Sequence, residues 1–120
     1  MKTSSAKAKG RRLAQHVKDK LLEYYNGLDP DDIIVTSSGT TGSDLMFSPR
    51  AKEVVCLDTC ECKNQEKLNW WQAIEQAKTH GGKWALFVKR NRSDTYVVQE
   101  LSEWLNDRLL NMPSKAVRGS

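Results

Sequence analysis

The apolar residues between Arg11 and Tyr25 recur at Leu13, Val17, Leu21, Tyr24 and Tyr25, which is one face of a helix. Asn26-Gly27 ends that helix, since both residues tolerate a left-handed cap. Asp29-Pro30-Asp31-Asp32 is a turn, and the β-branched stretch Ile33 to Thr36 predicts a short strand. A polar loop with two glycines, Ser37 to Ser43, then delivers the chain to Asp44. Leu45-Met46-Phe47 predicts a second strand, and Ser48-Pro49-Arg50 turns it. Val54 to Lys63 reads as one long central strand, so these three strands predict an antiparallel meander.

The second half has clearer punctuation. Asn69 is a good N-cap and Gln72, three residues on, completes a capping box, with Leu68 and Ala73 placed as its hydrophobic staple. The helix runs through Trp70, Trp71, Ala73, Ile74 and Ala77 to Gly81-Gly82. Trp84 to Val88 is an apolar run of strand length, Lys89 to Asp94 a basic turn, and Thr95 to Val98 another strand. Leu101, Trp104, Leu105 and Leu109 mark a last helix, ended by Pro113 and a polar tail. The order predicts an α/β sandwich: a mixed sheet of about five strands flanked by helices. Residues 1–9 read as a flexible basic arm, 10–112 as one domain and 113–120 as a tail.

Length and composition narrow the class. A chain of 120 residues holds one core, and 38% apolar with 28% charged residues is ordinary for a globular domain. No apolar run approaches the roughly 20 residues of a membrane helix, so no membrane partner is expected. Three cysteines, Cys56, Cys60 and Cys62, fall within seven residues; the odd count and tight spacing argue for a reducing, intracellular compartment rather than a disulfide framework. The net charge of +4 is modest, but its distribution is uneven. Lys7, Lys9, Arg11 and Arg12 lie in a basic N-terminal stretch, and Lys89, Arg90 and Arg92 form a second cluster. These are the candidate phosphate contacts of a DNA-binding surface, positioning a duplex without reading its sequence.

Alternate residues of a strand share a face. Glu61 and Lys63 therefore project together near the end of the long strand, and a hairpin over 45–63 brings Asp44 alongside Glu61. Two carboxylates in close approach repel, and a hard divalent cation relieves them. Magnesium, with manganese as a substitute, lowers the pKa of a bound water and stabilises charge at phosphorus. Lys63 is placed to orient that water or to neutralise the transition state, and the backbone carbonyl of Cys62 is a further oxygen ligand. A Glu-x-Lys pair alone is commonly no more than an exposed pair on an edge strand. The Gly-Ser-Asp loop, the hairpin-length gap and the helix that follows single this one out.

Ser43-Asp44 followed by Glu61-Cys62-Lys63, with a helix before and a helix after, resembles the PD-(D/E)xK or restriction-endonuclease-like nuclease superfamily. Within it, Gly39–Ala77 and Lys89–Val98 look like small phage-encoded nucleases and archaeal-type Holliday junction resolvases, and the resemblance covers about Lys9 to Val98. It implies a restriction-endonuclease-like fold and a magnesium-dependent endodeoxyribonuclease acting on DNA as a homodimer. Asp44 and Glu61 would be metal ligands and Lys63 the catalytic lysine. A glutamate that such resolvases carry on the first helix has no counterpart here; Gln15 is the substitute, with Glu23 a poorer one. Ser37 or Ser38 would match a helpful loop serine, and Gln76 a glutamine that projects from the second helix. Ser43 stands at the proline position of the motif. Selectivity for a four-way junction, site-directed cutting or nicking, and DNA binding without catalysis are the open alternatives.

The remaining chemistry-bearing residues have simpler expectations. Cys56, Cys60 and Cys62 would share one face of a straight strand, which cannot wrap a tetrahedral zinc, so they are expected in the core. Trp70, Trp71, Trp84 and Trp104 are expected in core packing rather than stacked on bases. His16 and His80 are expected at the surface without partners.

Overall fold

The computed structural model of the chain describes residues 2–36 and 43–110. Helix α1 spans Lys2–Tyr24 and is followed by a short 3-10 turn, Pro30–Asp32. Strands β1 (Ile33–Val35) and β2 (Leu45–Phe47), helix α2 (Pro49–Val55), strand β3 (Thr59–Asn64) and helix α3 (Trp70–Lys78) come next. Strands β4 (Trp84–Lys89) and β5 (Tyr96–Val98) and helix α4 (Leu101–Leu110) are the last elements among the described residues. The five strands form one mixed sheet in the order β1-β2-β3-β4-β5. The pairings β1–β2, β2–β3 and β4–β5 are antiparallel, whereas β3–β4 is parallel, as a crossover through α3 requires.

Strand alternation divides the core into two layers. On one face Ile33, Leu45, Phe47, Cys60, Cys62, Ala85 and Phe87 pack against Leu13, Ala14 and Val17 of α1. On the other, Trp84, Leu86 and Val88 of β4 pack against Ala73 and Ala77 of α3, with Leu68, Ile74 and Val98 at the margin. Ile33, Leu45 and Leu86 are fully buried, each contributing about 1.5–3 kcal/mol of transfer free energy.

Three local expectations are corrected. Residues 2–9, read as a flexible arm, are the first turns of α1, where alanine and lysine carry little helical penalty. Val54 to Lys63 is not one strand. Ser48 is an N-cap whose hydroxyl accepts from the Ala51 amide, and Pro49 occupies the first helical turn, where its missing N–H costs nothing. The segment read as a turn thus starts α2, which ends on Cys56 in the left-handed region at φ 63°. Cys56 therefore leaves the strand, and only Cys60 and Cys62 share a face of β3. Third, Trp84 alone of the four tryptophans is buried; Trp70, Trp71 and Trp104 are exposed, the last with the Arg108 guanidinium 4.7 Å from its ring centre. Along α4, Leu101, Leu105 and Leu109 are exposed as well.

Asp58 ties the start of β3 to the start of β4: its Oδ2 accepts from the Lys83 amide at 2.8 Å. Gly82, at φ +69°, sits so close that a Cβ would lie 2.4 Å from that oxygen, so glycine is required there on both conformational and steric grounds. No helix among the described residues is long and apolar enough to cross a membrane.

Candidate active site

The β2–β3 register pairs Leu45 with Cys60 and Met46 with Thr59. Asp44 lies just before this pairing, and its carboxylate is close enough to Glu61 to act on it. Backbone bonds hold Asp44 there from both sides. Its N–H donates to the Cys60 carbonyl at 2.9 Å, and its carbonyl accepts from the Thr36 N–H at 3.1 Å. The Thr36 hydroxyl also donates to the carbonyls of Ser43 and Asp44, and the Ser43 hydroxyl donates to the Leu45 carbonyl. Thr36 and Ser43 are thereby held together beside Asp44.

The Asp44 carboxylate accepts the Cys62 N–H through Oδ2 at 2.7 Å. Glu61, only 3% exposed, places Oε1 2.7 Å from Nε2 of His80. Burial raises the Glu61 pKa, and the neighbouring Asp44 charge raises it further; the His80 hydrogen bond and the Lys63 charge act the other way. Asp44 and Lys63 therefore both act on the Glu61 carboxyl, which lies on the face of the sheet covered by α3. Cys60 and Cys62 point to the opposite face, buried, and burial pushes both thiols well above their ordinary range, which leaves them protonated packing groups.

Among the described residues no three His, Cys, Asp or Glu side chains are grouped to hold a metal ion. The donors present are oxygens: the carboxylates of Asp44 and Glu61, and the carbonyl of Cys62. The Cys60 carbonyl and the Cys62 N–H both turn toward β2, so by strand alternation the Cys62 carbonyl does too, beyond the point where β2 pairing begins. Two crowded carboxylates and a carbonyl suit a hard cation that keeps several waters, as magnesium does, and do not suit zinc.

The other expected site residues separate. Gln15 is exposed on α1, on the opposite side of the sheet, and its amide donates to Asp19 at 2.9 Å, so it is not a partner of the carboxylates. Glu23 pairs with Lys20 at 3.5 Å. Gln76 is exposed and flanks the stripe of α3 that faces the sheet. Ser37 and Ser38 lie outside the described residues. His80, expected to have no partner, is the residue from the end of α3 that reaches Glu61. Only a hint of this lay in the sequence: His80 continues the i, i+4, i+7 spacing of Ala73 and Ala77, but it sits in the turn past the end of α3.

The basic residues converge more than their sequence separation suggests. Arg12, His16 and Lys20 of α1 and Lys89 of β4 line one cavity of about 770 Å³ with Asn64, Phe87 and Asp94. Lys7 and Arg11 are exposed, and Lys9 half-buried, farther along α1. Arg90 and Arg92 are exposed on the β4–β5 turn, with Arg92 in the left-handed region at φ 63°. Lys89 and Asn64 are register partners at the carboxyl ends of the parallel pair β3–β4, the end toward which Lys63 lies. No family model matches the chain, and no curated protein and no solved structure matches it significantly.

Proposed function

We propose that the protein is a metal-dependent DNA endonuclease with a restriction-endonuclease-like fold. The observation that carries this reading is the approach of Asp44, just before β2, to Glu61 of β3, with Lys63 two residues on along the same strand face. The element order supports it: a helix before Asp44, a helix after Lys63, and the site beside a parallel strand pair, whose carboxyl ends are where α/β sheets place ligands. Bound magnesium would supply an activated water and charge stabilisation at phosphorus. Asp44 and Glu61, with the Cys62 carbonyl, would hold it. The Asp44 carboxylate is itself oriented by the Cys62 N–H, and Glu61 by His80. Lys63 carries its ammonium to the same face and stabilises negative charge as it develops on the phosphate. Arg12, Lys20 and Lys89 at the carboxyl ends of β3 and β4, with Arg11, Lys7 and Lys9 along α1, would take up the flanking phosphates.

The exposed Leu101, Leu105 and Leu109 of α4 give a second copy of the chain an apolar seat, and two copies would bring two sites to one DNA. A paired arrangement suits a four-way junction or paired nicks, so junction selectivity is the narrower form of the proposal. One observation favours a second reading, a DNA-binding protein with a silent site: His80 covers Glu61, which is nearly closed to solvent.

The deciding experiment is cleavage of supercoiled plasmid and of a four-way junction with magnesium, manganese or EDTA, wild type beside Asp44→Asn. Metal-dependent cutting lost in the variant supports the nuclease. Equal cutting of junction and linear duplex removes the junction-selective form, and binding without cutting of either substrate favours the second reading.

A further inference from the structure

We propose that the cleft between the start of α3 and the β4–β5 turn receives an unstacked nucleobase. Resting on the nuclease reading, this makes the substrate a DNA with an unpaired nucleotide beside the phosphodiester to be cut.

The cleft holds about 320 Å³ and is lined by Trp70, Tyr96, Lys89, Arg90 and the apolar Leu68 and Val88. That volume is at the small end of the roughly 300–1,000 Å³ of small-ligand sites. Trp70 is 49% and Tyr96 59% exposed, so two large aromatic side chains are held in water at the rim of one cavity. Val88 beneath them is buried. Aromatic faces beside cationic groups are what an unpaired nucleotide needs, the base stacking on the ring and its phosphate meeting Lys89 or Arg90. A base within a duplex is stacked on both sides and offers no face to a ring.

Register places this cleft relative to the candidate catalytic lysine. Lys63 pairs with Val88 and Val88 with Tyr96, so the three residues form one row across the sheet on one face. Two strand spacings, about 10 Å, separate Lys63 from Tyr96. A strand whose phosphate lies at Lys63 therefore carries its neighbouring nucleotide to the cleft.

The turn that presents Arg90 is held in place. Glu66, which also lines the cleft, accepts the Asn91 N–H at 2.6 Å. The Arg90 N–H donates to the Ser93 hydroxyl at 3.0 Å, and the Ser93 N–H donates to the Arg90 carbonyl at 3.1 Å. These bonds join the segment after β3 to the β4–β5 turn and set one wall of the cleft before any ligand arrives.

The test is anisotropy with the full chain in EDTA, using a labelled single-stranded oligonucleotide and a blunt two-strand duplex of the same sequence. Trp70→Ala and Tyr96→Ala should each weaken single-strand binding about tenfold while leaving duplex binding unchanged. Trp70→Phe should restore most of the loss. Trp71→Ala, which removes an exposed ring that does not line the cleft, should change neither probe. Absence of single-strand binding, or equal losses on both probes, overturns the proposal. The nuclease reading fails separately: ring-dependent single-strand binding without magnesium-dependent plasmid cleavage keeps the cleft and removes the enzyme. Cleavage without ring dependence does the reverse.

Discussion

The two faces of the sheet are built from the same strands and hold opposite kinds of residue. Under α1, β3 contributes Cys60 and Cys62, and the layer closes into a dry core with Ile33, Leu45 and Phe87. Under α3, the same strand contributes Thr59, Glu61 and Lys63. There Ala73, Ala77 and His80 cover only part of the width, leaving Trp70 and Tyr96 in water. The long helix α1 buries most of its face through Leu13, Ala14 and Val17, leaving Val97 of β5 exposed beside the basic cavity. A nine-residue helix that meets the sheet through alanines covers less. The difference teaches that β3 gives one side to the core and the other to the charged residues of the proposed site, and that a strand's period of two keeps them apart.

The largest expected effects break the comparison on the open face. Glu61→Gln and Lys63→Ala should each lower magnesium-dependent plasmid cleavage by about a thousandfold or more while the far-ultraviolet circular dichroism stays as in wild type. Retained cleavage in either variant removes the proposed site. On the closed face, Leu45→Ala should cost about 2–5 kcal/mol in urea unfolding and leave cleavage per folded molecule unchanged. A specific loss of activity there would show that the two faces are coupled.

A smaller effect sharpens the boundary between them. His80→Ala strips a buried carboxylate of its hydrogen-bond partner, which should cost about 1–3 kcal/mol of stability in EDTA. Magnesium should recover much of that loss by engaging Glu61 in its place. A variant as stable as wild type without metal would mean that the His80 bond contributes nothing.

The smallest effect is a dependence on pH. Burial, then the Asp44 charge, raises the Glu61 pKa in the folded state, so between the ordinary value of 4.5 and the raised one the folded protein binds more protons than the unfolded chain. Stability from this group is fully present below about pH 4.5 and is lost as pH rises through the raised value. In metal-free buffer, Glu61→Gln should therefore match wild type in acid and gain on it toward neutrality. A stability difference that stays flat from acid to neutral pH contradicts this electrostatic account.

Local signals settled more of this protein than its size suggests. The helical period from Leu13 to Leu21, the Asn69 cap and the alternation that sets Glu61 beside Lys63 all appear in the structure where the pattern of residues puts them, whereas α3 ends at Lys78, short of the Gly81-Gly82 stop. Each is governed by neighbours within a turn of helix or a few residues of strand. Helix α2 failed the same reading because Val54 and Val55 favour a strand. Its end also falls on Cys56, which lacks the glycine signature of a left-handed cap.

Tertiary structure alone decided the rest. Which face α1 covers put Gln15 on the wrong side of the sheet, and the exit of α3 brought His80 rather than Gln76 to Glu61. The meeting of Arg12 with Lys89 depends on α1 crossing the carboxyl ends of β3 and β4, and the exposure of Trp70 on how little of the sheet α3 covers. Periodicity states which residues of one element share a face. It carries no record of what another element, distant in the chain, will lay upon that face.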